Sequence, residues 1–220
     1  MLTVSEENYL KAIYKIIQNN PEASAGTKEI AKEMGTTAAS VTDMIQRLAE
    51  KELLTYQKYY GASLTREGQK MALMLLRKHR LWEVFLVEKL GFNWDEVHDV
   101  AEQLEHIQSI ELVERLDAFL GNPKFDPHGD PIPNENGSFT YRQQVSLASV
   151  GVPGKKVLVL GVRQQKPEFL QYLDSIKLKP GSHIEILHKT SYDQSIQLRA
   201  EQEESAWISH QTALDIIVKP

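Results

Sequence analysis

Residues 27–54, TKEIAKEMGTTAASVTDMIQRLAEKELL, decide the fold of the N-terminal third of this chain. Apolar residues recur at helical spacing on each side of Gly35, so the stretch predicts a short helix, a tight turn and a second helix. We expect Thr27 to be the N-cap of the first helix. Residues 53–65 then alternate between apolar and polar types around Gly61, which predicts a two-stranded hairpin.

The segments around this core predict further helices. Residues 4–18 have helical apolar spacing, with Ser5 as the expected N-cap. Thr65 is expected to cap a long helix over residues 66–90, and two more helices are predicted near residues 95–107 and 109–120. Residues 121–141 are rich in Gly, Pro, Asn and Asp, so they predict a linker or an ordered loop.

The C-terminal third has a different pattern. From about residue 145 short β-like runs alternate with turns, and residues 168–176, EFLQYLDSI, form the one helical stretch. This pattern predicts a small β-barrel of the SH3 type. The β-like runs are KKVLVLGV (155–162), GSHIEILHK (181–189), SIQLRAE (195–201) and LDIIVKP (214–220).

Composition excludes several classes of protein. The chain has no cysteine, which excludes disulfides, thiolate zinc sites and cysteine nucleophiles. It has no apolar run long enough for a membrane span, so we expect a cytoplasmic protein without a membrane partner. Residues 1–80 carry 12 Lys and Arg against 9 Asp and Glu, whereas residues 81–141 carry 3 against 13. The basic excess of residues 1–80 favours binding of a polyanion, and the acidic excess of residues 81–141 favours binding of a cation.

The helix, turn, helix and hairpin together outline a winged helix-turn-helix, whose second helix enters the DNA major groove. The alternative is a helix-turn-helix that binds only protein, but the basic excess of residues 1–80 favours DNA. Small hydroxyl side chains at the start of the second helix suit base edges and phosphates. The candidate DNA-binding residues are Thr36, Thr37, Ala39, Ser40, Thr42, Asp43, Arg47 and Lys58.

Histidines and glutamates share helix faces in the acidic region. His79 and Glu83 are four residues apart, and the residues at i, i+4, i+7 and i+8 of a later helix are His98, Glu102, Glu105 and His106. A core-facing stripe of this kind is costly unless a bound cation compensates its charge. The alternative is an exposed charged stripe without a ligand.

Imidazole and carboxylate ligands without thiolate suit Mn²⁺, Fe²⁺, Co²⁺ or Zn²⁺, and a site of mostly carboxylate oxygens favours Mn²⁺. The chain has no HExxH pair and no nucleophile–base arrangement, so we expect no catalytic residues and no enzyme activity. Two other hypotheses remain open at this point. One is a metal-assisted hydrolase that uses the same cluster, and the other is a constitutive DNA-binding protein whose metal is structural.

With these residues the whole chain resembles the diphtheria toxin repressor and manganese transport regulator family of metal-dependent transcriptional repressors. The stretches that carry the resemblance are EENYLKAIY (6–14), TTAASVTDMIQRLAEKELL (36–54), RKHRLWEVFL (77–86), VHDVAEQLEHIQSIELVERL (97–116) and DPHGDPIP (126–133). The resemblance implies a mainly α fold with small β parts. It implies a winged helix-turn-helix over residues 1–75, a helical dimerisation and metal-binding domain over 76–141, and an SH3-like, FeoA-like domain over 142–220.

The resemblance also implies a primary metal site. Its ligands would be Asn8, Glu102, Glu105 and His106. Glu102 stands where iron-type members tend to have cysteine, which favours the manganese type. Asn8 stands where manganese members usually have aspartate and iron members have methionine. Lys11 stands where some manganese members have a second glutamate.

For an ancillary site the resemblance leaves two versions open. Iron-type members imply His79, Glu83 and His98. Three-domain manganese members imply Glu83 with two residues of the loop before the SH3-like domain, Asp126 and His128, and a contribution from that domain. The candidates within the SH3-like domain are Glu168 and Gln165.

Taken together, the resemblance implies a homodimer that binds a palindromic double-stranded DNA operator and represses metal-uptake genes. The co-repressor would be Mn²⁺, with Fe²⁺ as the alternative, and Co²⁺, Ni²⁺, Zn²⁺ or Cd²⁺ could bind in vitro. No small organic substrate is implied.

Overall fold

The computed structural model describes residues 2–19, 24–57, 60–200 and 204–220. The chain divides into two compact units that interleave along the sequence. The first unit comprises Met1–His79, Glu102–Ile110 and Pro133–Ser138. The second unit comprises Arg80–Ala101, Glu111–Ile132 and Phe139–Pro220.

The first unit contains the predicted helix-turn-helix and hairpin. Its elements are α1 (Val4–Asn19), α2 (Thr27–Glu33), α3 (Ala38–Glu50), β1 (Leu54–Gln57), β2 (Gly61–Leu64) and the start of α4 (Arg66–Leu90). Strands β1 and β2 pair antiparallel, with Leu54 opposite Leu64. The core between these helices is closed by Ile13, Ile30, Val41, Ile45 and Leu48, each at most 1 % exposed. The winged helix-turn-helix expected from residues 27–65 is therefore present.

Helix caps in this unit differ in part from the expectations. Ser5 is not the N-cap of α1, because the helix starts earlier and Thr3 and Glu6 bond each other's backbone N–H groups. The N-cap of α2 is Gly26 rather than Thr27. Thr65 does cap α4, since its hydroxyl accepts a hydrogen bond from the Gly68 backbone at 3.1 Å.

The second unit joins a small helical core to a six-stranded antiparallel sheet. The second half of α4 packs with α6 (Ile110–Phe119) through Leu81, Val84, Val113 and Leu116. The sheet has the order β3-β8-β4-β5-β6-β7. Register shifts within β4 and within β5 bend these strands, as a small barrel-like sheet requires.

The predicted SH3-like domain supplies this sheet. Its elements are β3 (Val145–Ser146), α7 (Leu147–Val150), β4 (Lys156–Val162), α8 (Pro167–Ser175), β5 (His183–Lys189), β6 (Ile196–Ala200), β7 (Ser205–Ile208), α9 (His210–Asp215) and β8 (Ile216–Val218). The sequence pattern located the longer strands and α8, and it missed the short elements β3, α7, β7 and α9. Among the described residues, none of the helices combines the length and apolar composition that a bilayer crossing requires.

Helix α5 (Val97–Leu104) is shorter than predicted, and this changes the expected stripe. The helix ends before Glu105, so Glu105 and the residue after it lie in a turn rather than on the helix. Val97 and Ala101 form the fully buried face of α5. The expected core-facing stripe of four polar residues was therefore wrong as a helix face. Only its last two members turn inward.

Candidate metal centres and DNA-reading surface

Helix α3 presents a polar surface away from its buried apolar face. The expected DNA-binding residues at its start are exposed, apart from Thr42, which is half-buried. Thr37 is the N-cap, and its hydroxyl accepts a hydrogen bond from the Ser40 backbone at 3.3 Å. Asp43 and Arg47 are exposed further along the helix. Lys58 lies outside the described residues.

The first candidate metal centre surrounds Glu105, whose side chain is completely buried. The ammonium of Lys11, on α1, lies 2.5 Å from Glu105 Oε1. His79 donates from Nδ1 to Glu105 Oε2 over 2.6 Å. Burial by itself raises the pKa of Glu105, but the hydrogen bond from His79 and the charge of Lys11 outweigh it and lower the pKa. Glu105 is therefore a buried carboxylate whose charge is compensated on both oxygens.

Lys11 also reaches the second predicted carboxylate of this centre. Its ammonium lies 3.4 Å from Glu102 Oε1, and the Glu102 side chain is 47 % exposed. On the same helix, the carbonyl oxygen Oδ1 of Asn8 is shielded from solvent and has no hydrogen-bond partner among the described residues. A buried acceptor without a donor is costly, and a cation would satisfy it.

His106 is oriented by a residue that the sequence analysis did not single out. Its Nδ1 donates to Glu7 Oε2 over 2.5 Å, and Gln108 Nε2 donates to the other oxygen of Glu7 over 3.0 Å. The remaining nitrogen of His106, Nε2, lies 3.8 Å from Glu105 Oε1. A carboxylate that binds one ring nitrogen and leaves the other free is the usual support of a metal-binding histidine. The sequence offered one signal for this role: Glu7 is an acidic residue directly before the expected ligand Asn8.

The first centre is defined as Asn8, Glu102, Glu105 and His106. The structure brings His106 Nε2 to 3.8 Å from Glu105 Oε1 and joins both glutamates to Lys11, but it does not gather the ligand atoms of Glu102, Glu105 and His106 within 4.8 Å of one another. Its donors are an amide oxygen, two carboxylates and an imidazole, a set that suits Mn²⁺ or Fe²⁺. The buried, unsatisfied Asn8 oxygen is the observation that tests the fit. Two of these donors, Glu102 and Glu105, are in contact with the ammonium of Lys11.

The second candidate centre, defined as Glu83, Asp126 and His128, is assembled more tightly. One ligand atom of each residue lies within 4.8 Å of the others, and all three residues are buried. His128 Nδ1 lies 3.8 Å from Glu83 Oε2 and 4.0 Å from Asp126 Oδ1. Burial and the charge of Glu83 raise the pKa of Asp126 to about 7. Burial opposes protonation of His128, but a hydrogen bond with Glu83 and the charge of Asp126 raise its pKa to about 9.

Backbone groups fix the orientation of both loop ligands. His128 donates from Nε2 to the Trp94 carbonyl over 2.8 Å, and its ring stacks on the Trp94 indole at 5.9 Å. Nδ1 therefore faces the carboxylates of Glu83 and Asp126. Asp126 Oδ1 accepts from the backbone N–H groups of His128 and Asp130, at 2.9 and 3.0 Å. The loop is thus ordered, and the linker alternative for this part was wrong.

Strand β4 of the SH3-like sheet holds the same loop from the other side. The Val162 N–H donates to the His128 carbonyl over 2.9 Å. Gly129 and Gly161 allow this approach, since a Cβ built on Gly161 would lie 2.5 Å from the His128 carbonyl oxygen. Arg142 donates to the carbonyls of Gly129 and Leu160, each over 2.8 Å. The SH3-like domain therefore contributes backbone contacts to the second centre.

The two side chains expected from the SH3-like domain lie outside this group. Gln165 donates to Asp130 Oδ2 over 3.1 Å, so it contacts the loop but not the three ligands. Glu168 is exposed in the first turn of α8, and the structure does not bring it to the group. Of the iron-type set, His98 Nδ1 lies 3.6 Å from Glu83 Oε1 with 44 % of its side chain exposed. His79, one helical turn before Glu83 on α4, also bonds Glu105, and the iron-type version of the ancillary site stays open.

Comparison with known proteins places this geometry in context. Residues 1–62 match the N-terminal DNA-binding domain of iron-dependent repressors, and residues 65–134 match their metal-binding and dimerisation domain. Residues 147–220 match the FeoA domain. A DNA-reading head followed by a metal-binding and dimerisation domain defines the class of metal-dependent transcriptional regulators.

Individual relatives agree with that class. The chain is 33 % identical over 132 residues to the iron-dependent repressor IdeR of Mycobacterium leprae, a match that covers 60 % of this chain and 56 % of IdeR. It is 34 % identical over 116 residues to the transcriptional regulator MntR of Bacillus pumilus, covering 53 % and 78 %. A manganese-dependent transcriptional repressor solved in complex with manganese has a TM-score of 0.78 and 33 % identity, covering 97 % of this chain and 99 % of that one.

The chain belongs to the iron-dependent repressor family. The resemblance to metal-dependent repressors and the FeoA-like C-terminal domain are thereby confirmed. Family membership also places the chain with DNA-binding repressors rather than with metal-assisted hydrolases. The individual ligand and DNA-contact residues, and the domain boundaries after residues 75 and 141, stay predictions.

Proposed function

We propose that this protein is a metal-dependent transcriptional repressor with Mn²⁺ as its co-repressor and Fe²⁺ as the alternative ion. The observation that carries the proposal is that α1 of the winged helix contacts the turn after α5 at the residues of the first centre, through Lys11 with Glu105 and through Glu7 with His106. The relative solved with manganese supports Mn²⁺, and the match to IdeR keeps Fe²⁺ as the alternative.

Each residue of the first centre has a separate task. Asn8 supplies a buried amide oxygen from α1, while Glu102 and Glu105 supply carboxylates from the end of α5 and the turn after it. His106 presents Nε2 because Glu7 binds its Nδ1. The ion, when bound, supplies two positive charges that join these donors. The result is a cross-link between α1 and the segment that carries Glu102, Glu105 and His106.

This cross-link explains how a metal would control DNA binding. Without the ion, α1 and the acidic segment are joined by side-chain contacts alone. With it, the DNA-reading head is held in the arrangement that binds DNA, so the ion shifts the population toward that state. As a homodimer, the protein would place two α3 helices on the half-sites of a palindromic operator.

The cellular role follows from the same coupling. A repressor that binds DNA only with metal would silence metal-uptake genes when the metal is abundant. Such a protein acts where the DNA is, in the cytoplasm. The second centre would bind a further ion through Glu83, Asp126 and His128, and the three buried ligands support this reading.

The test is a gel-shift assay with the protein's own promoter region and operator-sized fragments, in Mn²⁺ and in EDTA. We expect retention of DNA with Mn²⁺ and release with EDTA. The double variant Glu102→Ala/His106→Ala should lose Mn²⁺-dependent retention while its circular dichroism spectrum stays unchanged. Glu111→Ala is the matched control, because Glu111 is an exposed acid of α6. Equal DNA affinity in Mn²⁺ and EDTA would show that the coupling does not exist.

A further inference from the structure

Lys11 has an unusual place for a lysine. The residue is only 5 % exposed, although the cost of burying an ammonium is high unless it is paired. Its partners are the two carboxylates of the first centre, Glu105 at 2.5 Å and Glu102 at 3.4 Å. Lys11 therefore compensates the charge that a metal ion would otherwise compensate.

The contacts of Glu105 show which oxygen Lys11 binds. Oε2 of Glu105 accepts the hydrogen bond from His79. Oε1 is the atom that Lys11 Nζ contacts, and it is also the atom nearest to His106 Nε2. Glu105 and His106 would hold a metal most directly through Oε1, the Glu105 oxygen that faces His106 Nε2 and that Lys11 contacts. The ammonium and the ion would then compete for Oε1, because two positive charges at one oxygen repel each other.

We propose that Lys11 is a built-in counter-cation of the first centre, which holds the acidic ligands in the metal-free protein and must be displaced when the metal binds. This inference rests on the proposed function, because it assumes that Glu102 and Glu105 are metal ligands. It assigns to Lys11 a role in setting the metal concentration at which the repressor responds.

Two consequences follow, and they have opposite signs. Removing the ammonium leaves Glu105 buried with less compensation, so the metal-free protein should be less stable. Removing it also frees the oxygen that the metal needs and takes away a like charge, so the metal should bind more tightly. A lysine with only a structural role would produce the first effect without the second.

The experiment compares the full-length chain with Lys11→Met, which keeps the length of the side chain without its charge. Lys11→Arg keeps the charge, and Lys70→Met is a matched control on an exposed position of α4. Thermal unfolding is recorded with EDTA and with Mn²⁺. Mn²⁺ affinity is measured by calorimetric titration without DNA. The second centre is the same in all four proteins, so a difference between them reports on the first.

For Lys11→Met we expect a melting temperature lower by roughly 5–15 °C in EDTA. We expect Mn²⁺ to reverse most of this loss and to bind roughly tenfold or more tightly. Lys11→Arg and Lys70→Met should behave like the parent chain. Unchanged or weaker Mn²⁺ binding by Lys11→Met overturns the proposal, as does failure of Lys11→Met to fold even with Mn²⁺. If the parent chain itself binds no Mn²⁺, the proposed function fails instead.

Discussion

The two candidate centres carry positive charge in different ways. In the first centre the charge belongs to Lys11, a side chain that is not itself a ligand. In the second it is shared between Arg80, whose Nε lies 3.4 Å from Asp126 Oδ2, and His128, a candidate ligand whose pKa the neighbouring acids raise to about 9. A metal that binds His128 replaces its proton, whereas a metal that binds Glu105 has to move a side chain. We therefore expect metal binding at the first centre to require a side-chain rearrangement, namely the movement of Lys11 away from Glu105.

The two centres also differ in the groups that orient their candidate ligands. The second centre is held by backbone groups, the Trp94 carbonyl and the N–H of Val162 among them. The first is held by side chains that pair with one another, such as Glu7 with His106. Backbone supports give a rigid site, and side-chain supports can rearrange. This contrast favours a structural role for the second centre and a switching role for the first.

The largest expected effect compares one buried acid from each centre in the absence of metal. Glu105→Ala removes the buried carboxylate that Lys11 and His79 share, so the free energy of unfolding should fall by about 3–5 kcal/mol. Asp126→Asn should lower it by less, about 1–2 kcal/mol, because Asn loses the ion pair with Arg80 but keeps an acceptor oxygen and relieves repulsion with Glu83. Urea unfolding in EDTA measures the free energy of unfolding of both variants. Equal losses would show that the two centres do not differ in how they compensate buried charge.

A smaller effect is expected at the support of His106. Glu7→Gln weakens the hydrogen bond that orients the ring, so Mn²⁺ affinity at the first centre should fall roughly tenfold to a hundredfold. The second centre should still bind its ion, because Glu7 has no contact there. Calorimetric titration resolves the two sites if their affinities differ. A uniform loss at both sites would show that Glu7 acts on the fold rather than on His106.

The sequence predicted the helical part of the fold well because its signals are local. Gly35 and the apolar positions of α3 define the helix-turn-helix without tertiary information. The end of α5 depends instead on Glu105, which leaves the helix to meet Lys11 and His79, partners that are distant in sequence. Helical spacing alone therefore placed Glu105 on a stripe that does not exist.

The sequence predicted which residue types form the candidate site, but it did not predict the contacts that orient them. Both loop ligands of the second centre were expected, yet nothing in the sequence indicated that the Trp94 carbonyl orients His128. Backbone supports have no residue-specific signature, so a pattern search misses them. Glu168 failed to join the group for the opposite reason, since its acidic side chain fitted a ligand while its place in α8 leaves it exposed.

The backbone support of the second centre can be tested through Gly161. Gly161→Ala places a methyl group 2.5 Å from the His128 carbonyl, so β4 and the loop must separate. We expect a loss of about 1–3 kcal/mol in the free energy of unfolding and weaker binding of one Mn²⁺ equivalent. Gly154→Ala is the control, because its Cβ meets no atom within 4 Å and only its positive φ costs energy, about 1 kcal/mol. If both variants lost the same stability and the same Mn²⁺ affinity, β4 would not support the loop that carries Asp126 and His128.

The smallest effect concerns the charge of the first centre. Asn8→Asp adds one negative charge to α1, three residues before Lys11, so the metal-loaded form gains a stronger ligand. The added carboxylate also attracts Lys11, which strengthens the contact that the metal must break. Because these two changes oppose each other, we expect Mn²⁺ affinity to rise by less than about tenfold. In a Lys11→Met background the competitor is absent, and the same substitution should increase the affinity more. Titration of the four proteins of this double-mutant cycle measures the coupling, and additive effects would show that Asn8 and Lys11 do not share one centre.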